Sequence, residues 1–261
     1  MKTILITGAT DGLGLATAHA LAETGHHLIV HGRDEKKLAN MLNTIPNGVN
    51  ITCLCADFDD LRQVNAMGKI IRQKFKKIDL LINNAGVLKV PDNSQHMIDL
   101  RFRVNTLAPY ILYLNLVEPL TGGRVINLSS AAQSTIDMDA ITGKKVYHDD
   151  MQAYSQSKLA LTLWTFALAN DSDRACDFMA VNPGSLLATK MVKEGFGIAG
   201  KDIASAVDLL SALSLSTQYN NVNGRYYDND IGDFGQAHPD AYLAELQSDI
   251  LATMDGVFRQ L

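Results

Sequence analysis

Tyr154 and Lys158 stand four residues apart in a run of good helix formers, and that spacing puts a phenol and an ammonium on one helix face. A free phenol titrates at about pH 10, too high for a useful base at neutral pH. A neighbouring ammonium favours the phenolate and lowers that value. At an effective dielectric of about 20, unit charges about 4 Å apart interact by about 4 kcal/mol. Lys158 is therefore expected to make Tyr154 a working acid/base. Ser129 and Ser130 follow the apolar run 124–128. A hydroxyl at such a strand end can donate to a substrate carbonyl and stabilise the charge that develops on its oxygen. Phenol, ammonium and hydroxyl together suit proton transfer at a carbonyl or alcohol oxygen.

Such a set needs elements that bring it to a ligand. The apolar run 3–6 reads as a buried strand, and 15–22 is rich in helix formers. Between them lie Gly8, Thr10, Asp11, Gly12, Leu13 and Gly14. Glycine accepts positive φ and lets backbone approach a ligand closely. The helix that follows offers free N–H groups and a positive dipole end to a phosphate. The spacing G-x-x-x-G-x-G differs from the G-x-G-x-x-G dinucleotide fingerprint but can do the same work. A second strand, 27–31, runs into Gly32-Arg33-Asp34. A carboxylate at that strand end would select the ribose hydroxyls of NAD. Arg33, which suits a 2′-phosphate, favours NADP(H) over NAD(H), with Asp11 and Asp34 acting against it. Asp57, after a strand at 51–56, can accept from an adenine amino group with the Phe58 backbone alongside, or cap a helix. Asn83-Asn84-Ala85-Gly86 ends a fourth strand at 78–82. Its small residues let the chain pass under a cofactor, and its amides brace neighbouring loops.

Helices are expected at 34–42, 60–75, 98–120, 151–169 and 201–216, with Pro109 kinking or restarting the third. Further strands are expected at 124–128, 177–181 and 225–227. Alternating β and α with continuous apolar strands implies an α/β fold: a doubly wound parallel sheet of about seven strands with helices on both faces, in one domain over 1–261. The net charge of -5 gives no basic stripe for a nucleic acid. No apolar run reaches membrane-spanning length, and the chain enters its first strand without a secretory signal. Cys53, Cys55 and Cys176 are odd in number with no C-x-x-C, which reads as buried reduced thiols in a cytoplasmic protein; Cys53 and Cys55 share one face of a strand, as a metal pair would, but no further ligand cluster follows. His26, His27 and His31 read as packing or surface residues.

With the glycine turn, Asn-Asn-Ala-Gly, Ser-Ser, Tyr-x-x-x-Lys and Asn182-Pro183-Gly184 in this order, the chain resembles the short-chain dehydrogenase/reductase family, of the type with a single Rossmann domain. The resemblance covers nearly the whole chain. It implies Tyr154 as catalytic acid/base and Lys158 as the lysine that holds the nicotinamide ribose and lowers the tyrosine's pKa. It further implies Ser130 as the serine polarising the carbonyl, and Asn105 as the asparagine that holds a proton-relay water. Gly8, Gly12, Leu13 and Gly14 match the pyrophosphate loop, Arg33 the 2′-phosphate reader and Asp57 the adenine contact. Asn84, with Ala85 and Gly86, matches the cofactor contact after the fourth strand. Pro183, Gly184 and Leu186 match the segment along the nicotinamide carboxamide. The expected chemistry is hydride transfer between NADP(H) and a small or medium, apolar carbonyl or alcohol substrate. A nucleotide-binding sensor or scaffold without turnover is the alternative.

Three features depart from the family pattern. The gap from Ser130 to Tyr154 is long, as in the retinol-dehydrogenase-like branch, and the extra segment 133–150 is expected to rim the substrate mouth or to be a solvated insertion. Ala188 stands where a threonine is usual, with Thr189 one residue late. Asp11 precedes Gly12 where some NADP-dependent members carry a basic residue. Segment 186–197 suits a mobile lid or a short packed helix. The apolar stripe in 241–258 suits packing on the fold or on a partner. The resemblance favours a homodimer or homotetramer built on the helices after strands four and five.

Overall fold

The computed structural model describes residues 1–90 and 97–261. From the N terminus, β1 (Thr3–Ile6) turns into α1 (Gly12–Ala22), followed by β2 (His27–Gly32), α2 (Glu35–Leu42), β3 (Ile51–Cys55), α3 (Leu61–Lys74) and β4 (Leu80–Asn83). A short turn of helix, α4 (Leu100–Phe102), passes through a π-helical turn at Arg103–Leu107 into α5 (Ala108–Leu116). Then come β5 (Arg124–Leu128), α6 (Met138–Ile141), α7 (Asp150–Ala169), β6 (Asp177–Asn182), α8 (Lys190–Phe196), α9 (Ala204–Leu215), β7 (Arg225–Asp228), β8 (Asp233–Gly235) and α10 (Ala244–Phe258).

The strands form one sheet in the order β3-β2-β1-β4-β5-β6-β7-β8. All pairs are parallel except the last. Alternate residues of each strand point to opposite faces. Leu5, Ile29, Leu81 and Val125 therefore enter one core with Ile71, Ile111 and Trp164. Ile4, Ile6, Val30 and Ile82 enter the other with Leu21, Leu210 and Leu213. A strand covered on both sides has no polar face to show, which is why β1 and β4 read as continuous apolar runs. Aspartates start the helices: Asp34, Asp60 and Asp149 each accept a backbone N–H from the first turn that follows, satisfying donors with no intrahelical partner.

The sheet has eight strands where about seven were expected. The extra one, β8, hairpins back onto β7 with the register Asp228↔Asp233. It is three residues long with one large apolar side chain, Phe234, so no alternation announces it. Of the two outcomes expected at Pro109, a kink or a restart, the helix shows the restart. Pro109 sits in the first turn of α5, where a missing N–H is harmless. The irregularity falls earlier, in the π turn, where Ala108 N–H bonds to the Arg103 carbonyl. In α register the Asn105 carbonyl would accept from residue 109, which has no N–H to give.

On α7, one of the two helices where a subunit partner was expected, α10 of the same chain packs, and it reaches α5 through Tyr110. Ile250 and Met254 are fully buried in the core that holds Tyr110 and Trp164. Tyr110 Oη donates to Asp255 at 2.7 Å, and Phe166 packs on Tyr242 with ring centroids 5.2 Å apart.

Candidate active site

Strand order reverses between β1 and β4, and the crevice beyond their carboxyl ends is where such sheets take ligands. The glycine turn and Asn-Asn-Ala-Gly meet there. Gly8 has φ +66, and a Cβ on it would stand 2.8 Å from Ala85 Cα. A Cβ on Gly14 would overlap Asn84 Nδ2 and the Gly8 carbonyl. Asn84 Nδ2 donates to the carbonyls of Thr7 at 2.8 Å and Gly8 at 3.0 Å. The Thr7 hydroxyl accepts from the backbone N–H groups of Asn84 and Ala85, both at 3.1 Å. Two glycines are thus required by close approach, and the amide of Asn84 holds the turn from beneath.

His31, read from the sequence as packing or surface, fastens the other end of the crevice. It is buried; its Nδ1 accepts from Gly8 N–H at 3.3 Å and its Nε2 donates to the Ala56 carbonyl at 2.9 Å. Burial pushes its pKa down to about 4, so the ring is neutral and has one nitrogen free to accept. Phe58 stacks on this ring at 4.1 Å. Its side chain therefore faces inward, leaving only backbone for a nucleotide. Asp57 accepts from Asp59 N–H at 3.0 Å, while the N-cap of α3 is Asp60. Thr10 lies under Gly32, whose Cβ would meet the threonine methyl at 2.5 Å, and Leu13 is buried. Arg33 is exposed at the end of β2. Asp11 caps α1 through Gly12 N–H and pairs with Lys37 at 2.9 Å. That bond holds its carboxyl below the usual range. Lys37, which sequence reading passed over, thus balances the carboxylate that weakened the case for a 2′-phosphate. Its spacing of four from Arg33 was the available signal.

Ser130, Tyr154, Lys158 and Asn105 come together at the other side of the crevice. The Ser130 hydroxyl faces the Tyr154 phenol closely enough to pull its pKa down against the effect of burial. The Ser130 carbonyl accepts from Tyr226 Oη at 3.0 Å and from Gln133 Nε2 at 2.8 Å, which fixes the backbone that carries the hydroxyl. Lys158, 4% exposed, donates to the Leu128 carbonyl at 2.7 Å, and its Nζ lies 5.6 Å from the centroid of the Tyr154 ring. Asn105 Nδ2 donates to the Val87 carbonyl and to Ser157 Oγ, both at 2.9 Å, and its Oδ1 accepts from Val87 N–H at 2.8 Å. Its side chain is thereby committed to bracing the β4 loop against α7. A Cβ on Gly86 would come 3.3 Å from Asn105 Oδ1 and 3.6 Å from Lys158 Nζ.

The expected depression of the phenol's pKa does not follow from this geometry. Burial pushes Tyr154 up, with the Ser130 hydroxyl acting in the opposite direction, and burial brings Lys158 down to about 8. Both charged forms lose water here, so desolvation outweighs the attraction argued from spacing. At neutral pH the phenol carries its proton.

The segment after β6 closes the front. Gly184 has φ +121 and Leu186, exceptionally for a non-glycine, φ +57. Asp230 accepts from Ser185 N–H, Ser185 Oγ and Asn182 Nδ2, and Asn229 Nδ2 donates to the Pro183 carbonyl at 2.9 Å. The lid segment contains a short packed helix, α8, capped by Thr189. A Cβ on Gly12 would be 3.4 Å from the Thr189 methyl. Thr189, set aside in the sequence reading because it falls one residue late, therefore reaches the glycine turn as the helix cap. A Cβ on Gly86 would meet Met191 at 3.6 Å, and one on Gly195 would meet Leu88 at 2.6 Å, so α8 spans the crevice. In the 133–150 segment, Gln133, Ser134 and Thr135 wall a cleft of about 600 Å³ with Met151, Gln152 and His238.

A sequence profile of the short chain dehydrogenase family matches residues 2–196. The chain belongs to that family, and its relatives place it in the retinol-dehydrogenase-like branch. It is 29% identical over 255 residues to retinol dehydrogenase 13 of Homo sapiens, a match spanning 87% of this chain and 76% of that protein. It is 37% identical over 164 residues to a Streptomyces protein named for daunorubicin C-13 ketoreduction, spanning 61% of this chain and 57% of that one. Among solved structures, NADPH-bound carbonyl reductase from chicken fatty liver superposes with a TM-score of 0.71 at 22% identity, over 91% of this chain and 99% of that one. No described helix is long and apolar enough to cross a membrane.

Proposed function

We propose that the protein is an NADP(H)-dependent oxidoreductase that interconverts a carbonyl and an alcohol on a small to medium apolar substrate. The observation that carries this is the meeting of Ser130, Tyr154 and buried Lys158 beside the glycine turn. The crevice suits a pyridine dinucleotide: Gly8 and Gly14 let the turn lie close on the Asn84 loop, and its backbone leads into the N-terminus of α1, where a pyrophosphate is favoured. Backbone from Gly8 to Gly14, the Asn84-Ala85-Gly86 loop, Thr189, and Pro183 to Leu186 would hold it. Arg33, with Lys37 beside it, would take the 2′-phosphate, and Asp57 the adenine. When bound, its nicotinamide supplies a hydride to a carbonyl carbon or accepts one from an alcohol carbon.

The residues of the chain do the rest. Ser130 Oγ donates to the substrate oxygen and stabilises negative charge there. Tyr154 Oη gives that oxygen its proton in reduction, and takes one from the alcohol in oxidation. Lys158, charged below about pH 8, stabilises the phenolate left behind. Leu186, Phe196 and Ile198 expose apolar surface on the lid side, which supports an apolar substrate. The 133–150 segment rims the mouth with a polar cleft. Every group named comes from one copy of the chain. Three free cysteines suit a reducing cytoplasmic setting, although only Cys176 is buried as expected: Cys53 is half-buried and Cys55 exposed at the end of the edge strand β3.

The test is a panel of aldehydes, ketones and alcohols with NADPH, NADP, NADH and NAD. The expected result is NADPH consumption with apolar aldehydes or ketones, faster than with NADH. Binding of NADPH without turnover of any member would favour the sensor alternative.

A further inference from the structure

Arg101 is buried, with a side chain 3% exposed. Its Nε and Nη2 donate to the two oxygens of Asp99 at 2.9 and 2.7 Å. This fork already neutralises the guanidinium. Its Nη1 nevertheless reaches further, to the Leu88 carbonyl at 3.4 Å and to Asp150. Leu88 lies two residues past Gly86, and Asp150 is the first residue of α7, one helical turn before Tyr154. Asp149, not Asp150, caps the helix, so the Asp150 carboxylate is free for this contact. Seven residues along α7, Ser157 makes a second link to the same neighbouring element through Asn105. Tyr154 lies between the two.

We infer that Arg101 is a positioning residue: through Asp150 it clasps the first turn of α7 to the loop after β4, and so sets where the Tyr154 phenol sits relative to Ser130. This rests on the reading of Tyr154 as the proton donor. Charge balance does not require the clasp, because Asp99 alone supplies it; geometry does. Ser155 and Gln156 are tied to Ser134, Asp137 and Tyr147 on the other side of the helix, so Arg101 is what joins the first turn to the β4 loop, and helix starts fray where such ties are lost. A small displacement of a reacting group costs far more in rate than in binding.

Asp150→Ala tests this without stranding a buried charge, since Arg101 keeps Asp99. Amide exchange of the nucleotide-free protein is expected to speed up by about tenfold at residues 151–156 and to stay unchanged at 161–166. With NADPH and a carbonyl substrate, kcat is expected to fall by about tenfold or more, while the Kd for NADPH stays within about twofold. Asp150→Glu, which keeps the carboxylate, should restore both readouts. Unchanged exchange at 151–156 would overturn the inference whether or not the enzyme turns over. So would a loss of kcat matched by an equal loss of NADPH affinity, or one that Asp150→Glu does not repair. A wild-type protein that turns over no substrate would defeat the oxidoreductase reading instead, and the exchange data would still decide the clasp.

Discussion

The two sides of the crevice are built differently. On the nucleotide side, the turn from Gly8 to Gly14 is fixed by close approach of backbone: positive φ, missing Cβ atoms, and the amide of Asn84 under two carbonyls. On the substrate side, position comes from side chains that reach from one segment to another. Tyr226 holds Ser130 from across 96 residues, Arg101 reaches Asp150 across 49, and α8 closes over Gly12 and Gly86. The first kind of construction accepts one ligand shape and tolerates little change. The second can be re-sorted segment by segment, which suits a site whose substrate must be chosen while its cofactor is kept.

Gly14→Ala should produce the largest effect on the nucleotide side. Overpacking costs about 1–3 kcal/mol where side chains can shift; here the added carbon meets backbone and a doubly bonded amide. The expected outcome is a Kd for NADPH raised by about 100-fold or more, read by fluorescence titration. An unchanged Kd would mean that the nucleotide side is as adaptable as the other.

His31 gives the next effect, and it depends on pH. Its pKa is lowered from 6.5 in the unfolded chain to about 4. Between those values the unfolded state binds more protons, so stability falls as pH drops from 6.5 through 4. The full shift corresponds to about 3 kcal/mol. Denaturant unfolding at pH 7 and pH 4 should show this loss, and His31→Gln, which cannot titrate, should show a loss smaller by that amount.

Arg33→Ala should follow. Hydrogen bonds to charged groups contribute about 1.5–3 kcal/mol, so NADPH affinity should fall by about ten- to a hundredfold, with NADH affinity unchanged. Lys37→Ala should shift it less, because that ammonium is half exposed and shared with Asp11. Equal losses for both nucleotides would assign Arg33 no part in reading the 2′-phosphate.

The same contrast explains what was legible before the structure. The alternation of strands and helices, the glycine turn and the placing of Tyr154 one turn from Lys158 follow from period, propensity and spacing, all local. Partners far apart in the chain left no such trace. Nothing near Arg101 announces Asp150, and nothing near Trp164 announces Met254. His31 looked like an ordinary strand residue until Gly8 and Ala56 were seen on either side of its ring. The lowered phenol pKa failed for a related reason. Spacing gives the separation of two charges, while their desolvation depends on everything packed around them.

The central claim is that Tyr154 handles the proton at the substrate oxygen beside a bound nucleotide. Single-turnover oxidation of NADPH, preloaded on wild type and on Tyr154→Phe and mixed with a reactive carbonyl compound, tests it most directly. Removing a general acid costs about 10²- to 10⁴-fold. The account predicts a loss in that range with NADPH bound equally by both proteins. Equal rates in the two would contradict it.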